Sequence, residues 1–537
     1  MGMTQTLAAP FAYDAADPPA ENLAVRDVST FQVNVMIALV GCILTMGVVF
    51  LLYGAVLHWS LLPLLICGTL IGADAVAWAR GQIDLFDPKG VIGVVGVHFF
   101  FLSALLQLVW DAPLLGRMPN PGPWLGLMGV LNAVCIIIYF LTRRLGERGT
   151  ARVNRYYWQV NPASAHAILP PAIVFCAAAQ VYVLIRVGGF AGMIAIHEDV
   201  EGGVAYFGLG LFRMLGQALP MLLALMATVM RLSGGYRRST LITIGVVLVV
   251  ILSIQFMLSG FGGSRSSMAY GVFAVIGMLH FFWRRFTVRH AVLALIPFIM
   301  FLYVYAFYKD AGSRAFGLLT GETTVAALEH RTERTIPALL LGDLSRADLQ
   351  AFQLAKLQTD PTAYDLRRGR TYYTAVTPLI PYWIWPGKPK PEKIIAGADM
   401  AVGRGFYKPN HPYRKSTRIY GLAGEAMLNF GWTAVPFAYA IWGFLLGRYR
   451  RRFLGRRVGD ARLLVAALFS LLCFHGFFND VDNLLAFVFW KMLLVVIVVR
   501  LISVRIPLGE GVGMAVGSAL PNGDVLSTRG GVRFHGS

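Results

Sequence analysis

The chain has 537 residues, of which 57% are hydrophobic and only 14% charged, and its mean hydropathy is +0.62. Soluble domains carry about a quarter charged residues; here apolar runs of about 20 residues recur throughout, a length that only a bilayer demands repeatedly. The net charge of +19 invites a nucleic-acid partner, but much of it lies in short arginine-rich loops, where membrane insertion puts it, so nucleic acid is set aside.

Residues 1–30 are polar and Pro/Ala-rich, with Pro10, Pro18 and Pro19. They lack the basic head and early apolar core of a signal peptide, and we read them as a cytoplasmic tail. Apolar spans are expected at 32–54, 60–79, 90–110, 122–142, 165–187, 204–230, 240–259, 267–283, 290–308, 427–447, 461–478 and 484–504. The fold class is therefore an all-α polytopic membrane protein of about 12 helices; a barrel would alternate in short segments instead. The expected division is helices 1–9 over 31–308, a large loop over 309–426, helices 10–12 over 427–504, and a flexible cytoplasmic tail over 505–537. No internal repeat is visible. Cys42, Cys67, Cys135, Cys176 and Cys473 all fall in apolar runs and read as small core residues without disulfide or metal spacing.

The loops orient these helices. Arg143, Arg144, Arg148, Arg152 and Arg155 follow span 4, and Arg231, Arg237 and Arg238 follow span 6. Arg284, Arg285 and Arg289 follow span 8, and a run from Arg448 to Arg457 follows span 10. All are even-numbered exits, so all share one side, which the positive-inside bias makes cytoplasmic. The odd-numbered exits are acidic, Gly-rich or long, and the segment 309–426 is then extracytoplasmic. Within it, residues 322–357 space their charges as surface helices would. Residues 372–387, rich in aromatics and proline, suit an irregular or re-entrant piece at headgroup level.

Several constellations can carry chemistry. Arg404, Lys408, His411, Arg414, Lys415, Arg418 and Glu425 cluster where the long segment meets span 10. Guanidinium forks and lysine point charges grip phosphate oxygens, although such a loop can equally just touch headgroups. Glu425 opens the next helix, where a negative charge is favourable. Arg265 sits in a Gly-Gly-Ser-Arg-Ser-Ser turn between spans 7 and 8, where glycines admit a ligand close to backbone; Ser266 or Ser267 would alternatively cap span 8. Arg213, about two turns inside span 6 with Gln217 at i+4, is a costly membrane charge that is either functional or paired. Arg186, His197, Glu198 and Asp199 are available as neighbours. His475, Asn479, Asp480, Asp482 and Asn483 form the turn between spans 11 and 12, as a base, a glycan contact or a plain hydrogen-bonded turn; the spacing matches no metal site. Tyr372, Trp383 and Trp385 are suited to stack on sugar rings or to anchor at the interface. Asp74, in the inner half of span 2, reads as an internal ion pair or ion site.

Two of these stretches resemble one family. Residues 262–267, GGSRSS, resemble the glycine–arginine signature of the O-antigen polymerases, the Wzy-type oligosaccharide repeat-unit polymerases. Residues 421–436, GLAGEAMLNFGWTAVP, resemble the GE-x-x-x-N-F-G-x-x-G-x-P piece that follows their large external loop, with Ala434 standing where the last glycine is expected. The layout agrees over about residues 30–500, the motifs only over these two stretches. The resemblance implies a GT-C-like fold shared with O-antigen ligases and SEDS peptidoglycan polymerases. It implies a bacterial inner-membrane enzyme with a periplasm-facing site, working on undecaprenyl-diphosphate-linked oligosaccharides as donor and acceptor. Membrane lipids surround it, and flippase and chain-length-regulator proteins would be its partners.

On that reading Arg265, Arg414, Arg418 and Arg213, with Arg404 and Lys408, bind the substrate diphosphate, whose developing charge fixed cations stabilise. Glu425 is the first choice of base, followed by His411 and His475. Tyr372, Trp383, Trp385 and Asp482 contact glycan, and neither cofactor nor protein-bound metal is expected. The alternatives are an O-antigen or polysaccharide ligase of the same fold, and a polysaccharide transporter or flippase. The last would place its polar residues at mid-membrane.

Overall fold

The computed structural model describes residues 28–110, 120–148, 156–198, 209–233, 241–257, 265–311, 317–332, 335–362, 364–380, 384–403, 419–454, 456 and 459–507. The first half comprises α1 (Val28–Tyr53), α2 (Leu61–Ala79), α3 (Pro88–Trp110), α4 (Pro121–Glu147), β1 (Tyr156–Val160), α5 (Pro162–Arg186), α6 (Gly189–Glu198), α7 (Gly210–Ser233), α8 (Leu241–Gln255), α9 (Arg265–Phe282) and α10 (Val288–Ala311). The long polar segment holds α11 (Val325–Thr332), α12 (Ala347–Thr359), α13 (Arg370–Thr374), α14 (Glu392–Gly403) and α15 (Gly421–Phe430). The chain then runs through α16 (Val435–Leu454), α17 (Ala461–Phe478), α18 (Val481–Leu501) and β2 (Ser503–Pro507).

Nine helices among the described residues have the length and apolarity to cross a membrane: α1–α5, α7, α10, α17 and α18. The other expected spans differ in kind. α8 and α9 are apolar but contribute shorter stretches, and α16 ends on Arg448, Arg450, Arg451 and Arg452. Small residues let the helices approach, as they must where no hydrophobic effect drives association. A Cβ on Gly447 of α16 would lie 2.1 Å from the Arg143 carbonyl oxygen of α4, and one on Gly146 of α4 would lie 2.4 Å from that of Phe444. The five cysteines are free and buried, as expected of core residues.

One end of the bundle gathers the arginines. Arg143 pairs with buried Asp74, and Lys89 lies 3.3 Å from the same carboxylate, so Asp74 is an internal ion pair. Arg450 of α16 reaches Asp87 at 2.9 Å and Glu147 at 2.7 Å. Arg285 reaches Asp84 at 2.8 Å. β1 and β2 form an antiparallel ribbon, Tyr156 opposite Pro507 and Val160 opposite Ser503, and the Tyr157 hydroxyl donates to the Gly459 carbonyl at 2.9 Å. The segments following α2, α4, α9, α16 and α18 thus meet, and three of them, those after α4, α9 and α16, are among the four arginine-rich loops that the charge pattern places on one side. The last span runs Val481–Leu501 and residues 503–507 are strand, which moves the expected span 484–504 three residues earlier and shortens the expected tail. The alternating Val504 and Ile506 side chains fit a ribbon rather than a coil.

The polar segment departs further from expectation. α11 is largely exposed, but residues 347–355 of α12 are all buried, so the second part of 322–357 is no surface helix. Ser345 Oγ donates to Ser103 Oγ at 2.9 Å, and His98 Nε2 lies 3.1 Å from the Leu340 carbonyl oxygen. His98 is ten residues beyond Pro88 and hence about 15 Å along α3, so residues 338–345 reach deep between the spans. The buried glutamines of α12 donate to backbone, Gln350 Nε2 to Tyr420 O at 3.0 Å and Gln353 Nε2 to Gly424 O at 3.3 Å, while their Oε1 atoms are buried without a hydrogen-bond partner.

The expected span 427–447 is broken. α15 stops at Gly431, whose φ of 81° and ψ of 178° belong to a region essentially reserved for glycine. A 3₁₀ turn, Trp432–Ala434, then leads into α16. Glu425 therefore lies in the middle of a separate short helix, not at the start of a membrane span.

Candidate active site

α15 is positioned from outside itself. The first N–H groups of a helix have no internal partners, and here a carboxylate from the turn between α17 and α18 supplies them. Asp480 Oδ1 accepts from both Tyr420 N and Gly421 N at 2.8 Å. Gly421, at φ 71°, turns the chain into the helix. Lys393 of α14 closes the other side, with Nζ 3.1 Å from Asp480 Oδ2 and 3.6 Å from Asp482 Oδ2. Two elements, α14 and α15, thus converge on one buried acid of the α17–α18 turn, because each brings a backbone group or charge that needs a partner.

One turn into α15, Glu425 is 2% exposed. Its Oε2 accepts from Val481 N, at the start of α18, at 2.7 Å. Its Oε1 accepts from Thr371 Oγ1 at 2.8 Å. Asn429, at i+4 on the same face, donates to Thr371 Oγ1 at 2.6 Å and accepts from Gly369 N at 3.0 Å. The hydroxyl of Thr371 therefore receives from Asn429 and gives to Glu425, a relay with a fixed direction.

Beside the carboxyl lies a cavity of about 60 Å³, lined by Glu425, Asp480, Asn479, Tyr372, Trp442 and Leu484 among others. That volume holds a few waters or a hydroxyl group, and no sugar ring. Burial, with the Asp480 charge adding to it, pushes the Glu425 carboxyl up to about 8. For Lys393 burial works against the charge, but Asp480 and Asp482 outweigh it and hold the ammonium above its usual range. Burial raises the Asp480 carboxyl as well, against the pull of Lys393, so the two neighbouring acids share one extra proton between them. A buried carboxyl titrating near neutrality can both take and return a proton. Among the described residues no three His, Cys, Asp or Glu side chains converge as metal ligands.

The structure brings together only part of the expected set. Glu425 and Tyr372 line the cavity, and Asp482 joins through Lys393. His475 is buried in α17, stacked on Phe487 at 4.5 Å and edge-on to Tyr270 at 4.4 Å. Its Nδ1 meets Asn479 Nδ2 at 2.9 Å, so it reaches the cavity wall only through Asn479. Arg213 falls in the first turn of α7, which starts at Gly210, not two turns inside a span. Trp385 is half-buried, its carbonyl accepting from Lys388 N at 3.3 Å. Arg265 is the first residue of α9; its side chain lies outside the described residues. Ser266 and Ser267 lie inside that first turn and are not its cap. Arg404, Lys408, His411, Arg414, Lys415, Arg418 and Trp383 also lie outside the described residues.

Lys393 and Thr371 escaped the sequence reading. Neither belongs to a cluster of charges, and nothing in the spacing ties 371 or 393 to 480. Asn429 was not singled out either, although four residues from Glu425 puts it on the same helix face. Set against protein-family models, curated proteins and solved structures, the chain matches none.

Proposed function

We propose that the chain is a polytopic membrane glycosyltransferase, GT-C-like with about twelve spans, that polymerises polyprenyl-diphosphate-linked oligosaccharide repeat units on the outer face of a bacterial cytoplasmic membrane. The observation that carries the reading is Glu425: a buried carboxyl, oriented by Thr371 and Val481, raised to about 8 and facing a small cavity at the meeting point of the loop helices and spans. Buried carboxyls with raised titration points in a cleft are candidates for acid–base chemistry. The two motifs that resemble repeat-unit polymerases support it independently, and one of them contains both Glu425 and Asn429.

An acceptor hydroxyl reaches the mouth of the cavity and attacks the anomeric carbon of the donor glycan. The bond from that carbon to the diphosphate oxygen breaks, and the polyprenyl diphosphate leaves as an anion. The hydroxyl proton passes to Glu425, which Thr371 holds in register. Arg265, Arg414 and Arg418 are the cations proposed to offset the diphosphate charge. The leaving group needs no proton, so one carboxyl suffices.

The test is reconstitution with purified polyprenyl-diphosphate oligosaccharide and sizing of the product. Wild type extends chains, and Glu425→Gln, which keeps the shape, loses about 10²–10⁴ in rate while still inserting and melting cooperatively. Full-length polymer from the Gln variant would remove Glu425 from the chemistry. In cells, loss of the gene should leave single repeats on carrier lipid; long polymer left on the carrier would indicate the ligase instead.

A further inference from the structure

Four cationic side chains are buried among the described residues: Arg143, Lys393, Arg450 and Lys491. Three of them face carboxylates, Asp74, Asp480 and Asp87 respectively. Lys491 does not. It is 5% exposed in the middle of α18, and its Nζ has no hydrogen-bond partner. The charge that bears on it is that of Arg213, another cation, on the neighbouring α7. A lysine inside a membrane bundle is costly unless something pairs with it, and two cations in a medium of low dielectric repel strongly.

The backbone is unusual at the same point. Residues Val488–Met492 form a π-helical turn within α18, an arrangement that widens the helix and occurs mostly at functional sites. The residues flanking Lys491 divide the helix: Trp490 and Leu493 are exposed on the outer, lipid-facing side, while Lys491 is turned inward. Leu484, in the wall of the Glu425 cavity, precedes Lys491 by seven residues, about 10 Å along α18. The helix thus runs from the cavity to an ammonium with three donors unused.

We propose that Lys491 is a binding site for a lipid-borne phosphate group, which on the function proposed above is the diphosphate of the polyprenyl carrier. A phosphate offers several oxygens to the three donors of the ammonium and offsets the repulsion it feels from Arg213. A carboxylate ligand would satisfy fewer donors. The lipid tail would lie along the apolar surface of α18 beside Trp490 and Leu493.

Binding is measured on the full chain in nanodiscs by native mass spectrometry and lipid-dependent shifts in melting temperature. The probes are polyprenyl diphosphate, phosphatidylglycerol and inorganic diphosphate. Lys491→Met keeps the volume and removes the charge. It should melt no lower than wild type without ligand, since an apolar replacement of a buried charge is often neutral or stabilising. Its affinity for polyprenyl diphosphate should fall about 10- to 100-fold, the worth of a lost charge-assisted hydrogen bond. Lys491→Arg should recover part of it. Equal binding of phosphatidylglycerol, also lost in the Met variant, would confirm the site and assign it to headgroup phosphate; loss of inorganic diphosphate binding would confirm it for phosphate without a lipid. Affinities of the Met variant within about twofold of wild type for all three probes would overturn the site. Chain extension is scored separately: a wild type that binds but does not polymerise refutes the proposed reaction and leaves this site standing.

Discussion

At the residue scale the chemistry turns on where one proton sits. Glu425 faces Asp480 across the cavity wall, and Lys393 neutralises only one of the two. Its folded value of about 8 lies above the ordinary 4.5, so between those values the folded chain holds a proton that the unfolded chain has released. Stability contributed by this proton is present below about 4.5 and is lost as pH rises through 8. The melting temperature should therefore fall between pH 5 and pH 9, and Glu425→Gln should flatten that decline. A slope unchanged in the Gln variant would mean that Glu425 is ionised in the folded state. The proposed base works in the opposite sense, since only the deprotonated form accepts the hydroxyl proton, so extension should rise over the same interval. Glu425 was singled out in the sequence, and the four-residue spacing makes Asn429 readable beside it. Lys393 and Thr371 are not, because their roles come from tertiary contacts across 87 and 54 residues.

Among the described elements, nine of the twelve expected spans were legible from apolar length, and the end of the bundle where charged loops meet from arginine. What composition did not reveal was a break in the last third of the chain. Residues 421–436 read as the entry to one continuous helix because apolar residues dominate both sides of Gly431. The backbone at Gly431 instead separates a buried ten-residue helix from the span that follows. α12 misled for a related reason: glutamines look like surface residues, yet Gln350 and Gln353 bind backbone carbonyls inside the bundle. Gly431→Ala should cost about 1–3 kcal/mol, the penalty of a side chain in glycine-only backbone. It should also reduce chain extension, because α15 carries Glu425 and Asn429. The measurements are a denaturation midpoint and the product-sizing assay; an alanine variant as stable and active as wild type would show that the break does not position the site.

For the whole molecule, the arrangement separates two kinds of charge. Arginines and their carboxylate partners lock one end, from Asp74–Arg143 to Arg450–Asp87, and this network ties together α2, α3, α4 and α16. The acid cluster around Glu425 occupies the turn between α17 and α18, which the spans carry to the other end. A helix bundle that places its arginines by insertion and its reactive carboxyl at the opposite mouth has a definite sidedness, and the proposed reaction needs it, because lipid-linked oligosaccharide is joined outside the cytoplasm. The five native cysteines are buried, so single introduced cysteines can report the side with little background. Thr362→Cys, exposed just beyond α12, should react in intact cells with a maleimide that cannot cross the membrane. Arg452→Cys, exposed near the end of α16, should react only after the cells are permeabilised. The reverse pattern would put Glu425 in the cytoplasm, beside nucleotide-sugar pools and away from the lipid-linked glycan, and the polymerase reading would fail while the fold stood unchanged.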